Sequence, residues 1–356
     1  MQEKNNKFSL LKKIPLRTYL IIGIALELIA MVAIANSSSF TRKAVKDDAV
    51  FIGISVYSGD DTFVNSICTE IDSLLNESQY KGIRVRYEMV DAGQSQLIQN
   101  RQVEKFVSLK YNAICVNPVE RTEVSTIIDR AVEADIPLIF FNREPVKSDI
   151  NRSKNIYYVG SDSKDAAIQQ AGMISQLYAS DPASLDLNND GTVTYVILEG
   201  EANHQDTLIR TEWVIKNLQD KNVPVHKIAA ASANWDRNQA SVIMEDWLTK
   251  YADNIELVIA NNDDMALGAA DAIERCHDTR GVKIFGMDGS NEAIKAVNEG
   301  KIYGTVKCDF SEYARLILDI AVDNAVQGNI SSESSKKLIQ DKYAYIKYSA
   351  YNKTSP

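Results

Sequence analysis

Beyond residue 48 the chain alternates short apolar runs with longer amphipathic stretches, at a spacing that few architectures satisfy. "VFIGISVY" reads as a strand and the segment near 63–77 as a helix. "IRVRYEMV" with 95–109, and "NAICV" with 120–134, repeat the pair, and "IPLIFF" and "IYYVG" close a first series. A second series opens with a helical pattern near 164–179. It runs through "TVTYVILEG", "VHKIAAA", "IELVIAN", "VKIFGMD" and "IYGTVK", most of them followed by helical patterns. Such alternation predicts an α/β fold, with parallel sheets covered by helices on both faces. Two series predict two Rossmann-like lobes, and 356 residues also exceed what one core usually organises.

The front of the chain is different. "MQEKNNKFSLLKKIPLR" is basic, and Tyr19 to Ala35, "YLIIGIALELIAMVAIA", is apolar except for Glu27. Those 17 residues fall between a signal-peptide core and a full bilayer span, and "AIA" before Asn36 resembles a small-residue cleavage site. The expectation is an N-terminal export segment, either a cleaved signal or a membrane anchor, with a buried helix of the soluble body as the alternative. Basic residues ahead of it put everything after it outside the cytoplasm. "NSSSFTRKAVKDD", 36–48, is a polar linker. A net charge of -9 and a pI near 5.1 argue against nucleic acid, whose affinity for protein comes mainly from Lys and Arg at phosphates. Cysteines 68, 115, 276 and 308 are scattered, with no CxxC pair to suggest zinc.

In open α/β sheets, ligands bind beyond the carboxyl ends of the strands. Asp61 and Phe63 follow the first strand, Asn142 follows "IPLIFF", and His204, Asp206 and Arg210 follow "TVTYVILEG". Trp235, Asn262 and Asp288 follow three later strands. Taken singly they are turn formers, helix caps and core aromatics. Together they suit a pyranose, whose vicinal hydroxyls pair with carboxylates, amides and guanidinium and whose C–H faces lie on aromatic rings. Phe63 and Trp235, from opposite lobes, would sandwich it. No Walker A loop or GxGxxG turn offers a phosphate cradle.

"DLNNDGTVTYVI", Asp186 to Ile197, has the oxygen-bearing side chains and glycine of an EF-hand calcium loop, but isoleucine where a bidentate carboxylate belongs. On its own it reads equally as a polar turn leading into a strand.

The stretches "IGISVYSGDDTF", "IPLIFFNREP", "DLNNDGTVTYVILEGE", "HQDTLIRT", "NWDRNQA", "IELVIANNDDMALGA", "FGMDGSNEAI" and "GTVKCD" make the chain from about Val50 to Tyr348 resemble the periplasmic galactose/glucose-binding proteins of ABC transporters. The resemblance implies the type I periplasmic binding protein fold with a three-segment hinge. Residues 48–161 and 309–344 would form the N-terminal lobe and 162–308 and 345–356 the C-terminal lobe, after 1–47 as signal or anchor plus linker. It makes Asp61, Phe63, Asn142, His204, Asp206, Arg210, Trp235, Asn262, Asp288 and Cys308 sugar contacts. It also implies a calcium ion (Ca2+) held by Asp186, Asn188, Asp190, the Thr192 carbonyl, Thr194 and a distant Glu256. Two departures stand out: Thr194 where the family usually has glutamine, and Cys308 where it has asparagine. A thiol is a weak hydrogen-bonding group.

The expected function is capture of a monosaccharide, D-galactose or D-glucose, by a monomer that delivers it to an ABC transporter permease, with no catalysis. An anchored sensor presenting sugar to a histidine kinase or chemoreceptor is the alternative output. A sugar-responsive repressor would need a basic helix-turn-helix at the front. A glycosidase would need two carboxylates about 5 to 9.5 Å apart, for which Asp61, Asp206 and Asp288 are candidates.

Overall fold

A computed structural model of the chain describes residues 49–76 and 79–353. The apolar segment 19–35 lies outside the described residues, so the export expectation falls there untouched. Among the described residues no helix is long and apolar enough to cross a membrane.

Among the described residues twelve strands form two six-stranded sheets. The first has the order β11-β5-β4-β3-β1-β2, with β1 Val50–Val56, β2 Val85–Asp91, β3 Ala113–Val116, β4 Leu138–Phe141, β5 Ile156–Ser161 and β11 Tyr343–Ile346. All its pairings are parallel. The second has the order β12-β10-β9-β8-β6-β7, with β6 Val193–Glu199, β7 Val225–Ser232, β8 Leu257–Ala260, β9 Lys283–Phe285, β10 Gly304–Cys308 and β12 Tyr348–Asn352. It is parallel except at β12, which runs antiparallel to β10. Every residue of β3, β4, β5 and β8 is buried, which is why these strands read as unbroken apolar runs and not as alternating ones.

The chain changes sheet three times. It leaves the first sheet after Ser161, returns after Cys308 into the helix Phe310–Gln327 that packs on it, and crosses again at Lys347 between β11 and β12. The last crossing lies two residues beyond the expected boundary at 345, because Tyr345 and Ile346 still pair with Gly160 and Ser161 of β5. Adjacent crossings are tied together: Asp162 N–H donates to Ile346 O at 2.9 Å, and the Lys347 ammonium lies 2.5 Å from the Asp162 carboxylate. Parallel sheets present the carboxyl ends of their strands, and the amino ends of the following helices, at one edge. In both lobes that edge carries the residues singled out in the sequence.

Candidate functional site

Asp61, Phe63, Asn142, His204, Asp206, Arg210, Trp235, Asn262 and Asp288 line one cavity holding about 330 Å³ of empty space. The first-sheet lobe supplies Asp61, Phe63 and Asn142, and the second-sheet lobe supplies the rest.

Several of these residues also shape the backbone around them. Asp61 caps the helix Thr62–Leu75 by accepting from Val64 N, Asn262 caps Asp263–Arg275 by accepting from Met265 N, and His204 caps Gln205–Asp220 through Nδ1. A cap both ends the strand-to-helix turn and leaves one side chain aimed past the strand end. Asn142, Trp235 and Asp288 have φ of 62°, 65° and 116°. Side chains other than glycine rarely sit there, least of all a bulky indole, and such strain gathers at ligand clamps.

Arg210 is the electrostatic centre of the cavity. Its Nη1 donates to Asn261 O at 2.6 Å and to Asp288 Oδ1 at 3.3 Å, its Nη2 donates to Tyr348 OH at 3.0 Å, and Asp206 Oδ2 lies 3.6 Å away. Its Nε is buried without a protein hydrogen-bond partner. Burial pushes the Asp288 and Asp206 carboxyls above the usual carboxylate range, against the pull of Arg210. Burial, with Arg143 and Arg210 nearby, holds His204 well below the ordinary histidine value. The imidazole is therefore neutral. Its Nδ1 accepts from Asp206 N at 3.2 Å, which assigns the proton to Nε2, 3.4 Å from Asn142 Oδ1 in the opposite lobe. The His204 ring meets Trp235 edge-on with centroids 5.2 Å apart. Carboxylate acceptors, N–H donors and two aromatic rings thus face one space, which can hold a polyhydroxylated ring with a polar rim and apolar faces.

Cys308 does not share this position. It is buried and off the cavity lining, its N–H donates to Asp288 O at 2.9 Å, and its thiol pairs with Tyr348. Tyr348 OH also accepts from Arg210 Nη2 at 3.0 Å, so the thiol is linked to the guanidinium through the tyrosine hydroxyl. The strand-end survey also missed Arg143 and gave Glu201 no place in the cleft. Arg143 Nη2 lies 2.8 Å from Glu201 Oε1 across the lobes, and its guanidinium sits 3.8 Å from the Tyr57 ring centroid. Its position next to Asn142 was the available signal.

The loop at Asp186 is folded around its own carboxylates. Asp186 accepts from the N–H groups of Asp190 and Gly191, and Asp190 from that of Thr192. Glu256, fully buried and sixty-eight residues from Asn188, accepts from Asn188 N at 3.1 Å and from Thr194 N at 2.7 Å. A buried carboxylate aimed at an oxygen-rich loop suits a hard cation. Among the described residues, however, no group of three or more His, Cys, Asp or Glu is drawn in to coordination distance.

Residues 52–329 match the profile of the family described as the periplasmic binding protein domain. The chain belongs to that family, whose members bind and do not catalyse. The D-galactose/methyl-galactoside binding periplasmic protein of Haemophilus influenzae is 33% identical over 303 residues, 85% of this chain and 89% of that protein. The ribose import binding protein of Bacillus subtilis is 24% identical and aligns with 72% of this chain and 75% of its own length. Among solved structures, an ABC transporter solute binding protein from Bacillus halodurans with bound myo-inositol superposes with a TM-score of 0.70 at 27% identity, covering 85% of this chain and 94% of that one. A periplasmic solute binding protein from Actinobacillus succinogenes with bound D-allose gives 0.70 at 21% identity, covering 85% and 98%, a likeness of fold alone.

Proposed function

We propose that this protein captures a monosaccharide outside the cytoplasm and hands it to an ABC transporter, and that the sugar is of the D-galactose or D-glucose type. The observation that carries the reading is the cavity between the lobes, in which nine polar and aromatic residues from six strand ends meet. Sugar touching both lobes selects the closed arrangement, and closure is what a membrane partner reads. The likeness to the Haemophilus influenzae protein supports the choice of sugar.

A structural calcium ion belongs to the same reading. Asp186, Asn188, Asp190, the Thr192 carbonyl, Thr194 and Glu256 would hold it. Bound there, the ion would tie the loop before β6 to the residue that opens β8. Glu256 is the residue on which this part rests, since it is buried and its oxygens meet the loop backbone.

Isothermal calorimetry against a panel of hexoses, pentoses and inositols, with and without chelator, tests both parts. The expected result is one-to-one binding strongest for galactose or glucose. A best ligand outside the hexoses would overturn the sugar assignment.

A further inference from the structure

Asn142 contributes to the cavity, but its neighbour Arg143 is not among the residues that line it. Arg143 is anchored by two contacts within its own lobe and is largely buried there. Its guanidinium lies on the Tyr57 ring at 3.8 Å, its Nη1 donates to Val119 O at 3.0 Å, and its side chain is only 10% exposed. Its Nη2 then spans the cleft to Glu201 Oε1 at 2.8 Å. Glu201 belongs to the turn after β6 in the other lobe, where its carbonyl accepts from His204 N and its side chain stays 34% exposed. Neither residue lines the cavity. Each is fixed to a different sheet, so opening at the three crossings pulls the pair apart while leaving both lobes whole.

We propose that Arg143 and Glu201 form an interlobe latch that stabilises the closed cleft independently of the ligand and so sets how long any ligand stays. The proposal rests on the sugar-binding reading. An interaction present in only one of two states shifts the balance between them by its full strength. Arg143 is already held by Tyr57 and Val119, so closing costs it little side-chain freedom, and only Glu201 has to be ordered. The half-exposed carboxylate keeps the pair open to screening by salt. Two weaker contacts run alongside it, Gln205 Nε2 donating to Asn142 O at 3.0 Å and His204 Nε2 at 3.4 Å from Asn142 Oδ1. Both of those involve Asn142, a cavity residue, so they respond to what is bound. The latch does not.

The test is stopped-flow binding of the two or three best monosaccharides to wild type, Glu201→Gln and Arg143→Lys. In Glu201→Gln the dissociation rate should rise about threefold to tenfold, up to about 1.4 kcal/mol. The association rate should stay within about twofold. The rise should be the same factor for each sugar, so the rank order is kept. Raising salt should speed dissociation from wild type and not from Glu201→Gln. Arg143→Lys, which keeps the charge but loses the planar stack, should fall between them. An unchanged dissociation rate in Glu201→Gln, or a change in rank order, overturns the latch. If no sugar binds wild type, the sugar reading fails and the latch is read without ligand. Spin labels on the exposed Cys276 and on Lys110→Cys report lobe separation, since the other three cysteines are buried. A wider separation in Glu201→Gln at low salt supports the latch, and equal separations overturn it.

Discussion

Gly200 lies so close beneath the Trp235 indole that a Cβ on it would come within 2.1 Å of Cζ2. The glycine ends the run from β6, and the ring rises from the turn after β7, so the missing side chain is what lets the indole settle at the cavity wall. Gly200→Ala should push Trp235 off that wall. Monosaccharide affinity should fall about tenfold or more, approaching the loss in Trp235→Ala, where about 1.4 kcal/mol corresponds to each factor of ten. Calorimetry, with circular dichroism to show that the fold survives, checks it. Full affinity in Gly200→Ala would separate the ring from binding.

The link between Glu256 and the Asp186 loop gives a thermal prediction. Calcium that binds only the folded protein raises the melting temperature by an amount set by its concentration over its dissociation constant. Glu256→Gln should remove most of that increment, since an amide lacks the charge and bidentate coordination of a carboxylate. Melting in calcium and in chelator for both proteins decides it. Equal increments would place the ion elsewhere, and no increment in wild type would leave the loop a plain turn.

His204 supplies a pH dependence. Its folded value is depressed below the ordinary 6.5, so below that pH the unfolded chain takes up a proton that the folded protein refuses. The stability it contributes is complete above about pH 6.5 and is lost as pH falls toward the folded value. His204→Gln should flatten that part of the stability curve, measured by urea unfolding between pH 7 and 5. Sugar affinity in wild type should stay level over the same range, because the imidazole remains neutral in the cavity. A sharp loss of affinity near pH 6 would contradict the assigned proton.

Because the Cys308 thiol pairs with Tyr348 and not with the cavity, Cys308→Ser should leave monosaccharide affinity within about threefold, on the scale of a single adjusted hydrogen bond. Asp288→Asn, at the cavity itself, should cost about tenfold or more through lost pairing with Arg210 and ligand. Calorimetry on the two variants separates the layers. A larger loss in Cys308→Ser than in Asp288→Asn would return the thiol to the sugar.

What could be read in advance follows from how local the cause is. Strand-end position and polarity pick out Asp61, Asn142, Asn262 and Asp288, because in parallel sheets the chain direction alone decides which loops share an edge. The strands of "YAYIKYSAYN" were not legible as strands, although the family resemblance put a lobe boundary at 345. Tyr343–Ile346 and Tyr348–Asn352 are separated by a single lysine and belong to different sheets, a division that no periodicity records. The contact of Arg143 with Glu201 was equally invisible, since it depends on how two lobes close and not on either segment's own preference. The pairing of Cys308 with Tyr348 was hidden for the same kind of reason, because the tyrosine reaches it from a strand forty residues on.

The position of β11 bears on assembly. Tyr343 pairs with Tyr158, and the helix Phe310–Gln327 covers the first sheet, so the lobe begun earliest is completed only after most of the other has appeared. Until then β5 lacks its neighbour β11, and the sheet lacks the part of its cover that the helix Phe310–Gln327 supplies. Contacts this distant in sequence make folding slow. The exposed edge of β5 is then a surface on which a second nascent chain could pair wrongly, so yield should depend on how crowded the molecules are while they fold as much as on how stable they finally become.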